Sequence, residues 1–66
     1  DGLESIRRLV QTAPDYLISG GVWMVEMMMG QAEEVSALLS GQGSYDRITI
    51  QKDLAGIERF AIAYRK

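Results

Sequence analysis

The sequence contains no cysteine and no histidine in its 66 residues, a single proline, and few aromatic residues: one Trp, one Phe and three Tyr. Without cysteine, neither a disulfide nor a thiolate zinc cluster can staple so small a fold. Without histidine as well, the serines have no base of the Ser-His-Asp or Cys-His kind to activate a nucleophile. Charge of one sign is also missing. Seven basic residues against nine acidic give a net charge of −2, and the basic residues are scattered, so no clustered surface is expected to neutralise nucleic-acid phosphates or anionic lipid. The short pairs Arg7-Arg8 and Arg65-Lys66 read as a solvated helix face and a solvated terminus. Nor is there a membrane span. The longest apolar run, residues 22–29, is broken by Glu26 and falls far short of the roughly 20 residues required. The absence of cysteine suits a cytoplasmic location.

What is present is an ordinary folding composition, 47% hydrophobic and 24% charged. A chain of this size forms one domain at most and buries only about 60% of its unfolded surface, so it is marginally stable without a partner. The chain opens on Asp1, with no initiator Met and no signal-like apolar stretch. Together with the missing staples, this leads us to expect a larger natural context.

Leu3, Ile6, Leu9/Val10 and Ala13 have helical spacing, with Asp1 and Glu4 in a D-x-x-E capping pattern. Pro14 predicts the end of this helix near Thr12. Ser19-Gly20-Gly21 is read as a turn into Val22-Trp23-Met24-Val25, which is apolar on both alternating faces, as in an interior strand covered on both sides. A second helix begins at Gly30-Gln31, with Ala32, Val35, Leu38 and Leu39 on one stripe. Its N-terminal dipole is complemented by Glu33 and Glu34, and Gly41 is expected to stop it. Ile48 and Ile50 alternate with Arg47, Thr49 and Gln51, and Phe60, Ile62 and Tyr64 alternate with Ala61 and Ala63. These are two further strands, joined by a loop over residues 52–58. The order is α-β-α-β-β, an α/β fold whose β-α-β part is expected to be a parallel crossover and whose last strand can return antiparallel.

Gly20-Gly21 precedes a strand, whereas phosphate-cradling glycines follow one, so it is no nucleotide loop. Met27-Met28-Met29 reads as core filler or as an adaptable binding surface. Glu26 stands out, because a carboxylate buried without partners costs several kcal/mol. It belongs at the carboxyl edge of its strand, where it either accepts from the N-terminal amides of the next helix or faces the place where ligands of open α/β sheets sit, a rim that Gln31 is close enough to reach.

Several stretches, in this order, resemble the C-terminal end of HemK-type methyltransferases, the protein-glutamine N5-methyltransferases of peptide chain release factors. They are Asp1-Gly2-Leu3, Arg7-Arg8-Leu9, Gly20-Gly21 leading into a strand that ends in Glu26, Gly30-Gln31 with a Val35-x-x-Leu38-Leu39 helix, and the run Asp53 to Arg59 in D-L-x-G-x-x-R form. The resemblance covers essentially the whole chain. In one departure, Met28 stands where the family has a glycine. The resemblance implies that residues 1–66 are a single partial domain, the C-terminal α-β-α-β-β portion of a Rossmann-like sheet. Its last strand would be inserted antiparallel between its two predecessors. It further implies S-adenosylmethionine as cofactor and a release factor as partner of the intact protein, with Glu26, Met28 and Gln31 on a pocket rim and Asp53, Gly56 and Arg59 shaping the loop before the last strand. Gly56 is expected to take positive φ, and Arg59 either pairs with Asp53 or with acids upstream of this segment, or stands solvated. The family's glycine-rich cofactor loop and Asn-Pro-Pro-Tyr motif have no counterpart in these residues. No catalytic, cofactor-binding or metal-binding residue is therefore carried over, and the chain alone is expected to be inactive. The competing reading is a stand-alone α/β interaction domain that self-associates through a strand edge or through the surface of residues 22–29.

Overall fold

A computed structural model describes residues 3–66; the proposed Asp1 cap lies outside the described residues. Helix α1 (Leu3–Thr12) buries Leu3, Ile6 and Val10 and leaves Arg7, Arg8 and Leu9 exposed, so Val10 and not Leu9 continues the apolar stripe. Pro14 then tightens the chain into a 3₁₀ turn, Ala13–Asp15, closed by the Tyr16 N–H donating to Ala13 O at 2.9 Å. Proline has another effect here. It offers no N–H to the Val10 carbonyl four residues back, and the Tyr45 hydroxyl, 35 positions away, donates to that buried carbonyl at 2.9 Å.

Strand β1 (Val22–Glu26) is followed by α2 (Ala32–Gln42), β2 (Tyr45–Lys52) and β3 (Glu58–Arg65). The sheet order is β1-β3-β2, and β3 runs antiparallel to both neighbours. The two outer strands are therefore parallel to each other, as the resemblance implied. Helices α1 and α2 cover one face. Val10, Val35 and Leu39 are fully buried there, packed with Leu3, Ile6, Trp23, Met27, Ala32, Tyr45, Ala61 and Ala63. Trp23 and Tyr45 rings meet at 6.1 Å with a 56° tilt, within the range of favourable aromatic pairs.

Three expectations change. First, β1 is an edge strand covered on one face: Trp23 is buried, while Val22 and Met24 on the other face remain 55% and 64% exposed. Apolar residues at every position showed that both faces tolerate burial, but the described residues supply a layer for only one. Second, Gly41 lies inside α2, and Gly43 ends it at φ 86°. A helix stops where the chain turns left-handed, and glycine does this without steric cost. Third, β2 begins at Tyr45, two residues before the Arg47–Ile50 alternation. Between Asp46 and Thr49 the pairing with β3 slips by one residue, and Arg47 takes φ 49°. This bulge inverts the facing: Tyr45 points to the helices ahead of it, and Ile48 and Ile50 pack against the core after it. Arg47 is thereby laid over the Tyr64 ring, 4.1 Å from its centre.

Candidate functional site at the carboxyl end of β1

All six candidate residues lie at one end of the sheet. Glu26 closes β1 and is exposed. Its cross-strand partner is Phe60, and the next residue, Met27, donates its N–H to Arg59 O at 2.6 Å, which ties the β1–α2 turn to the start of β3. In that turn Gln31 folds inward. Its side-chain oxygen accepts from the Met28 N–H at 2.9 Å, and its own N–H donates to Met28 O at 3.2 Å. Gln31 thus braces the turn. Met28 itself is 68% exposed. Its backbone is not left-handed; the positive φ of the turn, 89°, belongs to Gly30. The glycine expected at position 28 is thus supplied two residues later.

The hairpin between β2 and β3 is organised by one carboxylate. Asp53 Oδ1 accepts from the Ala55 and Ile57 amides at 2.9 and 3.0 Å, and Oδ2 accepts from Arg59 Nε at 3.0 Å. The Asp53 N–H donates to Ile57 O at 2.8 Å, and the Gly56 N–H to Asp53 O at 2.9 Å. Gly56 takes φ 82°, as expected of a turn position that L side chains avoid. The Ile57 amide, followed by the Arg59 guanidinium, holds the Asp53 carboxyl below its usual pKa of 3.8. Of the alternatives open for Arg59, the structure shows the pair with Asp53, which works chiefly as a loop clasp.

Between the turn and the hairpin lies an open cleft of about 400 Å³, lined by Met29, Gly30, Lys52, Gly56, Ile57 and Glu58. Of the six candidates Gly56 lines it directly. Sequence reasoning missed Lys52 and Glu58, which meet because they are cross-strand partners; the signal was the hairpin register, which the bulges obscure. The walls do not fit a nucleoside cofactor. Such a ligand needs convergent, partly enclosed polar groups, whereas this cleft is open and no polar or charged side chain is buried among the described residues. Neither do three or more metal-ligating side chains cluster among them. No helix among the described residues is long and apolar enough to cross a membrane.

No family model matches the sequence, and no solved structure matches it significantly. Curated relatives do. A release factor glutamine methyltransferase of Synechocystis sp. is 49% identical over 63 residues, which is 96% of this chain and 21% of that protein. Proteins of the same name from Thermosynechococcus vestitus and Coxiella burnetii are 41% and 38% identical, covering 96% and 98% of this chain and 22% and 23% of their own lengths. The chain thus spans about one fifth of the length of the curated relatives it matches, and along almost all of its own length it is similar to the C-terminal segment of release factor glutamine methyltransferases.

Proposed function

We propose that this chain is the closing segment of an S-adenosylmethionine-dependent enzyme that N5-methylates a glutamine of a peptide chain release factor in the cytoplasm. The observation that carries this reading is the 49% identity over 96% of the chain to a protein of that activity by name. The β1-β3-β2 order agrees with it. In this reading residues 1–66 are one partial domain completing a Rossmann-like sheet, and their contribution is architectural. Glu26 and Met28 stand exposed at the carboxyl end of β1, on the rim of a pocket whose other wall comes from the rest of the enzyme. Gln31 fixes the turn behind them. Asp53, Gly56 and Arg59 hold the hairpin closed beside that rim. The cofactor and the catalytic groups belong to the preceding part of the protein, so the 66 residues alone transfer no methyl group.

The test is a graft in which these residues replace the matching C-terminal fifth of the Synechocystis relative. Purified graft incubated with S-adenosylmethionine and a release factor should add one methyl group to a glutamine, read by peptide mass spectrometry, and the isolated chain should add none. A folded graft without activity would refute the reading. So would a parent reading frame lacking an Asn-Pro-Pro-Tyr sequence in the few dozen codons before Asp1.

A further inference from the structure

All four methionines of the chain fall between positions 24 and 29, and no cysteine accompanies them, so thioethers are the only oxidisable sulfur in these 66 residues. Three of the four are consecutive, and the fold treats them differently. Met27 is 2% exposed and belongs to the core cluster that includes Trp23 and Leu39, whereas Met28 and Met29 are 68% and 70% exposed.

The backbone fixes this display. Met28 is bonded in both directions to Gln31, its N–H donating to Gln31 Oε1 at 2.9 Å and its carbonyl accepting from the Gln31 N–H at 3.2 Å, and Gly30 turns the chain at φ 89°. Both thioethers are thereby held out of the core, so a change at either sulfur leaves the buried contacts of the fold intact. Met29 also lines the cleft shared with Lys52 and Glu58. A thioether reacts without first losing a proton, so access to its sulfur sets the rate.

We propose that Met28 and Met29 form a reversible oxidation site for hydrogen peroxide. A sulfur lone pair attacks one peroxide oxygen; the S–O bond forms as the O–O bond breaks, and the departing hydroxide takes the proton of the transferred hydroxyl and leaves as water. The sulfur is oxidised by two electrons and the peroxide is reduced by two. A dithiol reverses the change in the presence of a sulfoxide reductase: the oxygen leaves as water and the thiols close to a disulfide. Each oxidation replaces a flexible apolar side chain by a polar one that accepts hydrogen bonds. The consequence for methyl transfer rests on the functional reading above; the site itself does not. A release factor segment seated on this rim desolvates both side chains, which costs little for a thioether and much more for a sulfoxide oxygen that gains no donor. Oxidation therefore weakens substrate docking and leaves the chemical step alone.

Peroxide mapping tests the site on the isolated chain and on the graft described above, both carrying Met24→Leu so that the exposed thioether of β1 adds no signal. Peptide mass spectrometry should find sulfoxides forming at Met28 and Met29 at least about tenfold faster than at Met27, and the two epimer-specific sulfoxide reductases with dithiothreitol should return both to thioethers. In an active graft, oxidation should raise KM for the release factor about tenfold with kcat little changed, and the reductases should reverse this. A graft carrying Met28→Leu and Met29→Leu, compared with its own untreated state, should keep its KM. Oxidation of Met27 as fast as its neighbours, or thioethers at 28 and 29 that resist peroxide in the folded graft, overturns the site. An equal rise in KM with and without the two methionines overturns its effect on docking. A graft inactive before treatment refutes the proposed function instead, and mapping on that same graft still decides the site.

Discussion

Replacing Tyr45 by Phe removes one hydroxyl and keeps the ring that packs against Trp23. The hydroxyl donates to the Val10 carbonyl at 2.9 Å in the buried core, at the one turn of α1 where Pro14 withholds its usual donor. Losing a net hydrogen bond costs about 0.5–1.5 kcal/mol, and an acceptor left buried without a partner adds to this, so Tyr45→Phe should cost about 1–2 kcal/mol. For a domain of this size that lowers the melting temperature by roughly 4–16 °C. Urea or thermal unfolding followed by the fluorescence of Trp23, the sole tryptophan, measures it. Pro14→Ala supplies the control, because it returns an N–H to position 14. In that background Tyr45→Phe should cost about half as much, and the coupling is read from the double-mutant cycle. An undiminished cost in the Pro14→Ala background, or a shift below about 2 °C in the parent chain, would refute the account of why Tyr45 is there.

Gly41 and Gly43 should respond in opposite directions to alanine. Neither Cβ would meet an atom within 4 Å, but Gly43 sits at φ 86° whereas Gly41 is helical. Gly43→Ala should therefore cost about 1 kcal/mol, and Gly41→Ala should stabilise by up to about 1 kcal/mol in the same urea titrations. Asp53 titrates below its usual value in the fold. Its contribution is therefore present above about pH 4 and lost as pH falls through the depressed folded value; Asp53→Asn should flatten the acid limb of a melting-temperature profile within that window. Tyr45 has the opposite sign: burial raises its pKa and Arg65 partly lowers it, so its contribution holds below about pH 10 and disappears as pH rises through the higher folded value. Tyr45→Phe should shallow the alkaline limb. Titration of S-adenosylmethionine into the isolated chain should leave its amide NMR shifts unmoved, and a saturable micromolar response would show that a cofactor site had been overlooked.

Local pattern carried much of this fold. The Leu3, Ile6, Val10 spacing and Pro14 set α1 and its end, and Ala32, Val35 and Leu39 set the buried stripe of α2. The order of the sequence motifs carried a resemblance to the C-terminal end of release factor glutamine methyltransferases, and the curated relatives are similar to the chain over that segment. At the candidate site the partners of Asp53 lie within seven consecutive residues, so the Asp53–Arg59 pair was among the alternatives the sequence offered, although spacing alone did not select it. The cleft was not, because Met29 and Gly30 come to it from the β1–α2 turn and Lys52 to Glu58 from a hairpin some twenty residues later.

Periodicity alone determined that Phe60, Ile62 and Tyr64 share one face and Ala61 and Ala63 the other; it contained nothing to say which face meets the helices. Tertiary packing decided that, burying the alanines and leaving the larger side chains on the open side. The same holds for Tyr45, whose inward facing depends on a bulge at Asp46–Thr49 fixed by pairing with β3, and for the Val10 carbonyl, whose donor lies 35 residues away. Elements written in local spacing could be read from the chain, whereas facing, register and hydrogen-bond partners brought together from distant positions exist only once the sheet and helices have assembled.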